Sequence, residues 1–121
     1  MTPTLYGIKN CDTVKKARAW LESRGIDYGF HDYKTAGIDA DRLRGWVVEL
    51  GWERLLNRAG TTFRQLPEAD KQDIDEDKAV RLMLANPSMI KRPVLDLGDR
   101  RLVGFKEAEW GEALGTAAAA S

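Results

Sequence analysis

The sequence predicts an α/β protein whose elements run strand, helix, strand, then a helical stretch, then strand, strand, helix. Three observations carry this. The apolar run Leu5, Tyr6, Ile8 gives way, just past the chain's one cysteine, Cys11, to Val14, Ala17 and Leu21 at i, i+3 and i+7, which is a strand followed by an amphipathic helix. After Gly25, residues 28–33 (Tyr-Gly-Phe-His-Asp-Tyr) alternate as a second strand should. Near the end, residues 94–97 and 101–103 flank Gly98-Asp99-Arg100 as a hairpin and lead into a helix over 106–114 anchored by Trp110.

The size and composition suit such a fold. A chain of 121 residues is long enough for one domain with its own core, and 43% hydrophobic with 31% charged residues is an ordinary globular balance. The 19 basic and 19 acidic side chains cancel, so net charge favours neither nucleic acid nor an anionic membrane as partner. One cysteine cannot close an intramolecular disulfide, which points to a reducing compartment. The opening residues Met1-Thr2-Pro3-Thr4 have no basic and apolar leader pattern, and no run of about 18 apolar residues occurs. The expected location is the cytoplasm.

In chain order, residues 4–8 read as a short buried strand, with Asn10 or Asp12 able to cap the helix that follows. Trp20 joins the apolar stripe of that helix, and Gly25 supplies a left-handed stop. Strand, helix and strand joined so tightly make a right-handed unit with parallel strands. Residues 34–38 read as a loop. Asp39 then caps a helix with Leu43, Trp46, Val47 and Leu50 at i, i+3, i+4 and i+7, stopped by Gly51. A short helix starts at Trp52 and runs into the polar stretch 57–62, and Leu66-Pro67-Glu68 opens a turn or short helix. Asp75 caps a further helix, with Glu76 and Asp77 in its first turn and Val80, Leu82 and Met83 as core, ended by Asn86-Pro87. The expected organisation is one domain over 1–114 with a helical insertion at about 34–91. The alanine-rich end, 115–121, reads as a flexible tail.

Cys11 falls where the first strand gives way to the first helix. Unpaired amides of a helix's first turn and the macrodipole favour thiolate over thiol, and a cysteine so placed falls from a pKa of about 8.5 to about 3.5–7.5. Lys9, Lys15 and Lys16 push the same way, and Asp12 pushes back. In parallel sheets ligands bind beyond the carboxyl ends of strands, which is where Cys11 lies. His31, the one histidine, sits at the far end of a strand pattern and reads as structural. With one Cys, one His and no clustered acids, no metal site is expected. The four tryptophans fall on apolar helix faces and read as core.

The element order, with cysteine after strand one and Arg92-Pro93 before strand three, is the arrangement of the thioredoxin-like fold, in which that proline is cis and packs against the cysteine. Four separated segments carry a more specific resemblance: Leu5-Tyr6-Gly7-Ile8-Lys9-Asn10-Cys11-Asp12-Thr13, then residues 55–63 (Leu-Leu-Asn-Arg-Ala-Gly-Thr-Thr-Phe), then Ile90-Lys91-Arg92-Pro93-Val94, then Arg101-Leu102-Val103-Gly104-Phe105. On these the chain resembles the arsenate reductase (ArsC) family, within it a YffB/Spx-like branch, from Thr4 to about Leu114. The resemblance implies thiol chemistry with glutathione as co-substrate and no bound cofactor, and glutaredoxin as a family partner. It makes Cys11 the nucleophile and Arg92 its catalytic neighbour, with Lys9, Asn10, Thr13, Arg58 (or Asn57 if the alignment slips by one) and Pro93 lining the substrate site.

Two positions depart from the family pattern. Arsenate reductases of this family place three arginines round the oxyanion, and the third would fall at Gly104, with Lys106 two residues on. A bidentate arginine contact is worth about 1.5–3 kcal/mol, so arsenate should be handled weakly. Spx-type regulators, which bind the α-subunit of RNA polymerase, commonly carry a second cysteine three residues after the first, where this chain has Val14. The functional expectation is a glutathione-dependent thiol reductase with a single nucleophilic cysteine. The alternatives are a non-enzymatic Spx-type regulator binding RNA polymerase, a weak arsenate reductase and a family member without activity.

Overall fold

A computed structural model of the chain describes residues 2–115. In chain order its elements are β1 (Thr4–Gly7), α1 (Asp12–Ser23), β2 (Gly29–Asp32), α2 (Tyr33–Ala36), α3 (Ala40–Leu50), α4 (Trp52–Leu55), α5 (Thr61–Arg64), α6 (Glu68–Lys71), α7 (Glu76–Ala85), a 3-10 turn (Pro87–Met89), β3 (Val94–Asp96), β4 (Arg101–Val103) and α8 (Glu107–Leu114). The described residues fall into two compact units: 2–31 together with 92–115, and Asp32–Lys91.

In the first unit the four strands form one sheet in the order β2-β1-β3-β4. β1 and β3 are antiparallel, with Leu5 opposite Leu95 and Tyr6 opposite Val94. β3 and β4 are also antiparallel, with Leu95 opposite Leu102. The alternating apolar residues of these strands and the i, i+3, i+4 stripe of α1 meet in one core of Leu5, Ala17, Trp20, Leu21, Leu95, Leu102 and Trp110. Burying side chains of this size contributes about 1.5–3 kcal/mol each. The Trp20 and Trp110 rings meet edge to face, 5.9 Å apart. Among the described residues of this unit one carboxylate is buried: Asp96 accepts from the Gly98 amide at 2.8 Å and pairs with Arg101 across the same rung at 3.4 Å.

The second unit is helical, with α3 packed against α4 and α7. Asp39 and Asp75 cap α3 and α7 as their side chains accept from the Arg42 and Lys78 amides. Leu55, Leu56 and Asn57 run beside Met89, Ile90 and Lys91: Asn57 N–H donates to Met89 O and Lys91 N–H to Leu55 O, both at 2.7 Å, with a bridge between Leu56 and Ile90.

Several local expectations are corrected. The second strand stops at Asp32, because that side chain accepts from the Lys34 amide at 2.8 Å and turns the chain into α2, so 33–36 is helix and not strand and loop. Tyr33 is fully buried and its hydroxyl donates to Lys91 O at 3.1 Å. Residues 61–64 form α5, which no apolar stripe announces. In α7 Ala79 is buried with Val80 and Met83, whereas Leu82 is half-buried. Trp20, Trp46 and Trp110 are core, but Trp52 is half-buried beneath Arg58. Gly115, counted above with the tail, is the left-handed cap of α8 at φ 67°; the rest of the expected tail, 116–121, lies outside the described residues. α1 is capped by neither Asn10 nor Asp12: Cys11 itself is the cap residue.

Candidate active site around Cys11

β1 ends at Gly7, and a tight turn follows in which the Cys11 amide donates to Ile8 O at 3.1 Å. Cys11 is extended (φ −86°, ψ 129°), and its carbonyl accepts from the Lys15 amide at 2.9 Å to begin α1. The first helical turn lies against the end of the strand, since a Cβ on Gly7 would stand 2.7 Å from Cγ2 of the fully buried Val14. Only a residue without a side chain lets strand and helix approach so closely.

The antiparallel pairing of β1 with β3 brings the exit of the first strand beside the entrance of the third. Arg92 stands at that entrance, before a cis peptide bond to the buried Pro93. Its side chain hydrogen-bonds to the Cys11 sulfur. Two residues eighty-one positions apart thus meet because of sheet register.

The sulfur is half-buried, and burial pushes the thiol up. The Val14 amide, the Arg92 hydrogen bond, the Thr13 amide and the Arg92 charge push it down and prevail, so the Cys11 thiol lies below its ordinary value. The helix start and the guanidinium are what act. Lys9, Lys15, Lys16 and Asp12, expected to contribute, are exposed and are not among the causes; solvent screens charges so placed.

Lys9 and Asn10 form the exposed turn before Cys11, and Thr13 reaches the sulfur through its backbone N–H. Asn57 is turned into its own loop, accepting from the Ala59 amide at 3.2 Å, with its amide nitrogen 3.0 Å from where a Gly60 Cβ would be. Arg58 is exposed, its guanidinium 5.6 Å from the centre of the Trp52 ring. His31 packs on Tyr6 with ring centres 4.9 Å apart. Gly104 has φ +78°; its amide donates to Pro93 O at 2.8 Å and its carbonyl accepts from Trp110 Nε1 at 3.1 Å. Gly7 was missed as a site residue by sequence reasoning, although a glycine at a strand end beside a reactive side chain is a signal of close approach; Gly104 was read there only as a lost guanidinium. No helix among the described residues is long and apolar enough to cross a membrane.

A sheet of this order, with a single activated cysteine at the first strand–helix junction and a cis-proline opposite it, defines a thioredoxin-like domain. The ArsC family model matches residues 6–113, and the chain belongs to that family. An uncharacterized protein of Haemophilus influenzae is 42% identical over 107 residues, covering 88% of this chain and 94% of that one. The global transcriptional regulator Spx of Streptococcus pyogenes serotype M3 is 29% identical over 108 residues, covering 88% and 80%. Among solved structures, a protein named YFFB is similar with a TM-score of 0.91 and 63% identity over 93% of this chain and 99% of its own. An arsenate reductase (ArsC) related protein from Brucella melitensis gives 0.75 and 56% over 94% and 95%.

Proposed function

We propose that the chain is a thiol reductase that works with glutathione through Cys11. The observation that carries this is the Cys11–Arg92 hydrogen bond at a helix start, which lowers the thiol and puts a fork-shaped carboxylate binder beside it. In the first step the Cys11 thiolate attacks the glutathione sulfur of a mixed disulfide, forming Cys11–S–S–glutathione and releasing the substrate as its thiolate. In the second, a glutathione thiolate attacks that new disulfide, Cys11 leaves as thiolate, and glutathione disulfide departs. Val14 stands where a resolving cysteine would be needed, so the second thiol comes from outside the chain. Lys9, Asn10 and Thr13 line the turn the glutathione would cross, and Pro93 shapes its floor. Glutaredoxin, the family's partner, would take the place of glutathione in that second step, its own thiolate attacking the glutathione sulfur so that Cys11 leaves as thiolate and glutaredoxin carries the glutathione as a mixed disulfide. Arsenate is a poor fit because Gly104 offers no guanidinium.

Oxidised glutathione should add one glutathione to the intact protein by mass, and Cys11→Ser should abolish it. Arg92→Ala should slow the addition and weaken glutathione binding more than Arg92→Lys. A protein that takes up no glutathione, or turnover that survives Cys11→Ser, would sink the reading. The likeness to Spx favours a second reading, a regulator that binds RNA polymerase without catalysis. Co-purification of polymerase with the Cys11→Ser variant would support it.

A further inference from the structure

We propose that Gly104 is a positioning residue for the Cys11–Arg92 pair, holding the Arg92–Pro93 segment through backbone bonds that need a positive φ. Its amide fixes Pro93 O at 2.8 Å, one residue beyond the last paired rung of β3 and β4. Its carbonyl is fixed in turn by Nε1 of Trp110, a fully buried ring of α8 wedged against Trp20 and Phe105. The rigid part of the unit, the aromatic core, is therefore linked through one residue to the carbonyl next to Arg92. Both bonds leave Gly104 at φ +78°, a conformation that β-branched side chains resist and that glycine, and to a lesser degree asparagine, adopts.

Space is not the constraint. A Cβ at Gly104 would meet nothing within 4 Å. A substitution there consequently tests backbone conformation with little steric change, and it leaves Arg92, Asp12 and the lysines near Cys11 untouched. The inference rests on Cys11 being the working thiol, but its readouts are properties of that thiol and need no substrate, so they stand apart from the glutathione reading.

The experiment compares Gly104→Val, Gly104→Asn and Trp110→Phe with wild type, following thiolate absorbance and iodoacetamide alkylation of Cys11 against pH, with thermal melts alongside. Gly104→Val should move the inflection of both curves up by about one pH unit, the low end of what an adjacent opposite charge contributes. Gly104→Asn should restore most of the wild-type profile, and Trp110→Phe, which keeps the ring and loses the donor, should move it in the same direction as Gly104→Val. A core variant of the helical unit, Trp46→Phe, sets how far a loss of stability alone moves the profile. The proposal is overturned if Gly104→Val titrates like wild type, if its shift is no larger than that of Trp46→Phe, or if Asn and Val behave alike.

Discussion

Gly7 and Val14 are in contact across the turn that holds the thiol: no side chain at position 7 would fit, since its Cβ would stand 2.7 Å from Cγ2 and 3.2 Å from Cγ1 of Val14. Val14 is fully buried and β-branched, so it has no rotamer to retreat into. Gly7→Ala should therefore destabilise the protein by about 1–3 kcal/mol, the usual range for overpacking. Chemical unfolding would measure it. In the double variant with Val14→Ala the penalty of the first change should largely vanish, as a coupled pair requires.

Alkylation of Cys11 should rise with pH to a plateau whose midpoint lies below that of a free thiol. Arg92→Ala should move the midpoint up, because it removes both a hydrogen bond to the sulfur and a positive charge. Asp12→Asn should hardly move it, since that exposed carboxylate does not act on the sulfur. A large downward shift in Asp12→Asn would show that the carboxylate does reach the thiolate.

The same lowering has a sign in stability. A thiol that ionises more readily folded than unfolded adds stability above the unfolded pKa and loses it as pH falls through the folded one. Unfolding midpoints of wild type minus those of Cys11→Ser should thus increase with pH across the interval between the two values and be flat on either side. A difference that falls with pH would mean that folding raises the thiol's pKa instead of lowering it.

Asp96 is the test of the hairpin that carries Pro93 on its entrance. Asp96→Ala should cost about 1–3 kcal/mol, because it strands the Gly98 amide and removes an ion-pair partner of the half-buried Arg101. Urea unfolding would read the loss. Alkylation of Cys11 at fixed pH should change little, the hairpin turn being at the other end of β3.

The sequence made the long elements legible because their apolar residues keep one period. Leu43, Trp46 and Val47 are buried as their spacing requires, and Asp39 and Asp75 cap where aspartates before an apolar stripe should. The single-turn helices α2 and α5 were not legible, since four residues are too few for a period and Asp32 looks like a strand residue until its side chain is seen accepting from Lys34. Within the candidate site, Cys11 stood out by chemistry and Arg92 by its place before a proline. The source of the thiol's lowering was half read: a helix start is visible in sequence, whereas the amides of Val14 and Thr13 and the guanidinium outweighing three nearby lysines depends on which groups point inward. Gly104 looked like a missing side chain, and its backbone bonds to Pro93 and Trp110 appear only in three dimensions.

Val14, sealed against Gly7, stands where a second thiol would be, so Cys11 has no other cysteine in the chain to pair with, and this sets the stoichiometry of any exchange. A pair of cysteines closing on each other releases two molecules of a small thiol for each symmetric disulfide consumed, so its poise depends on the square of the thiol concentration. A lone cysteine exchanges one for one, and its oxidised fraction follows the simple ratio of disulfide to thiol. Diluting both tenfold would shift a two-cysteine switch and leave a lone exchanging cysteine where it was: in such an exchange Cys11 would follow the composition of a thiol pool and not its size.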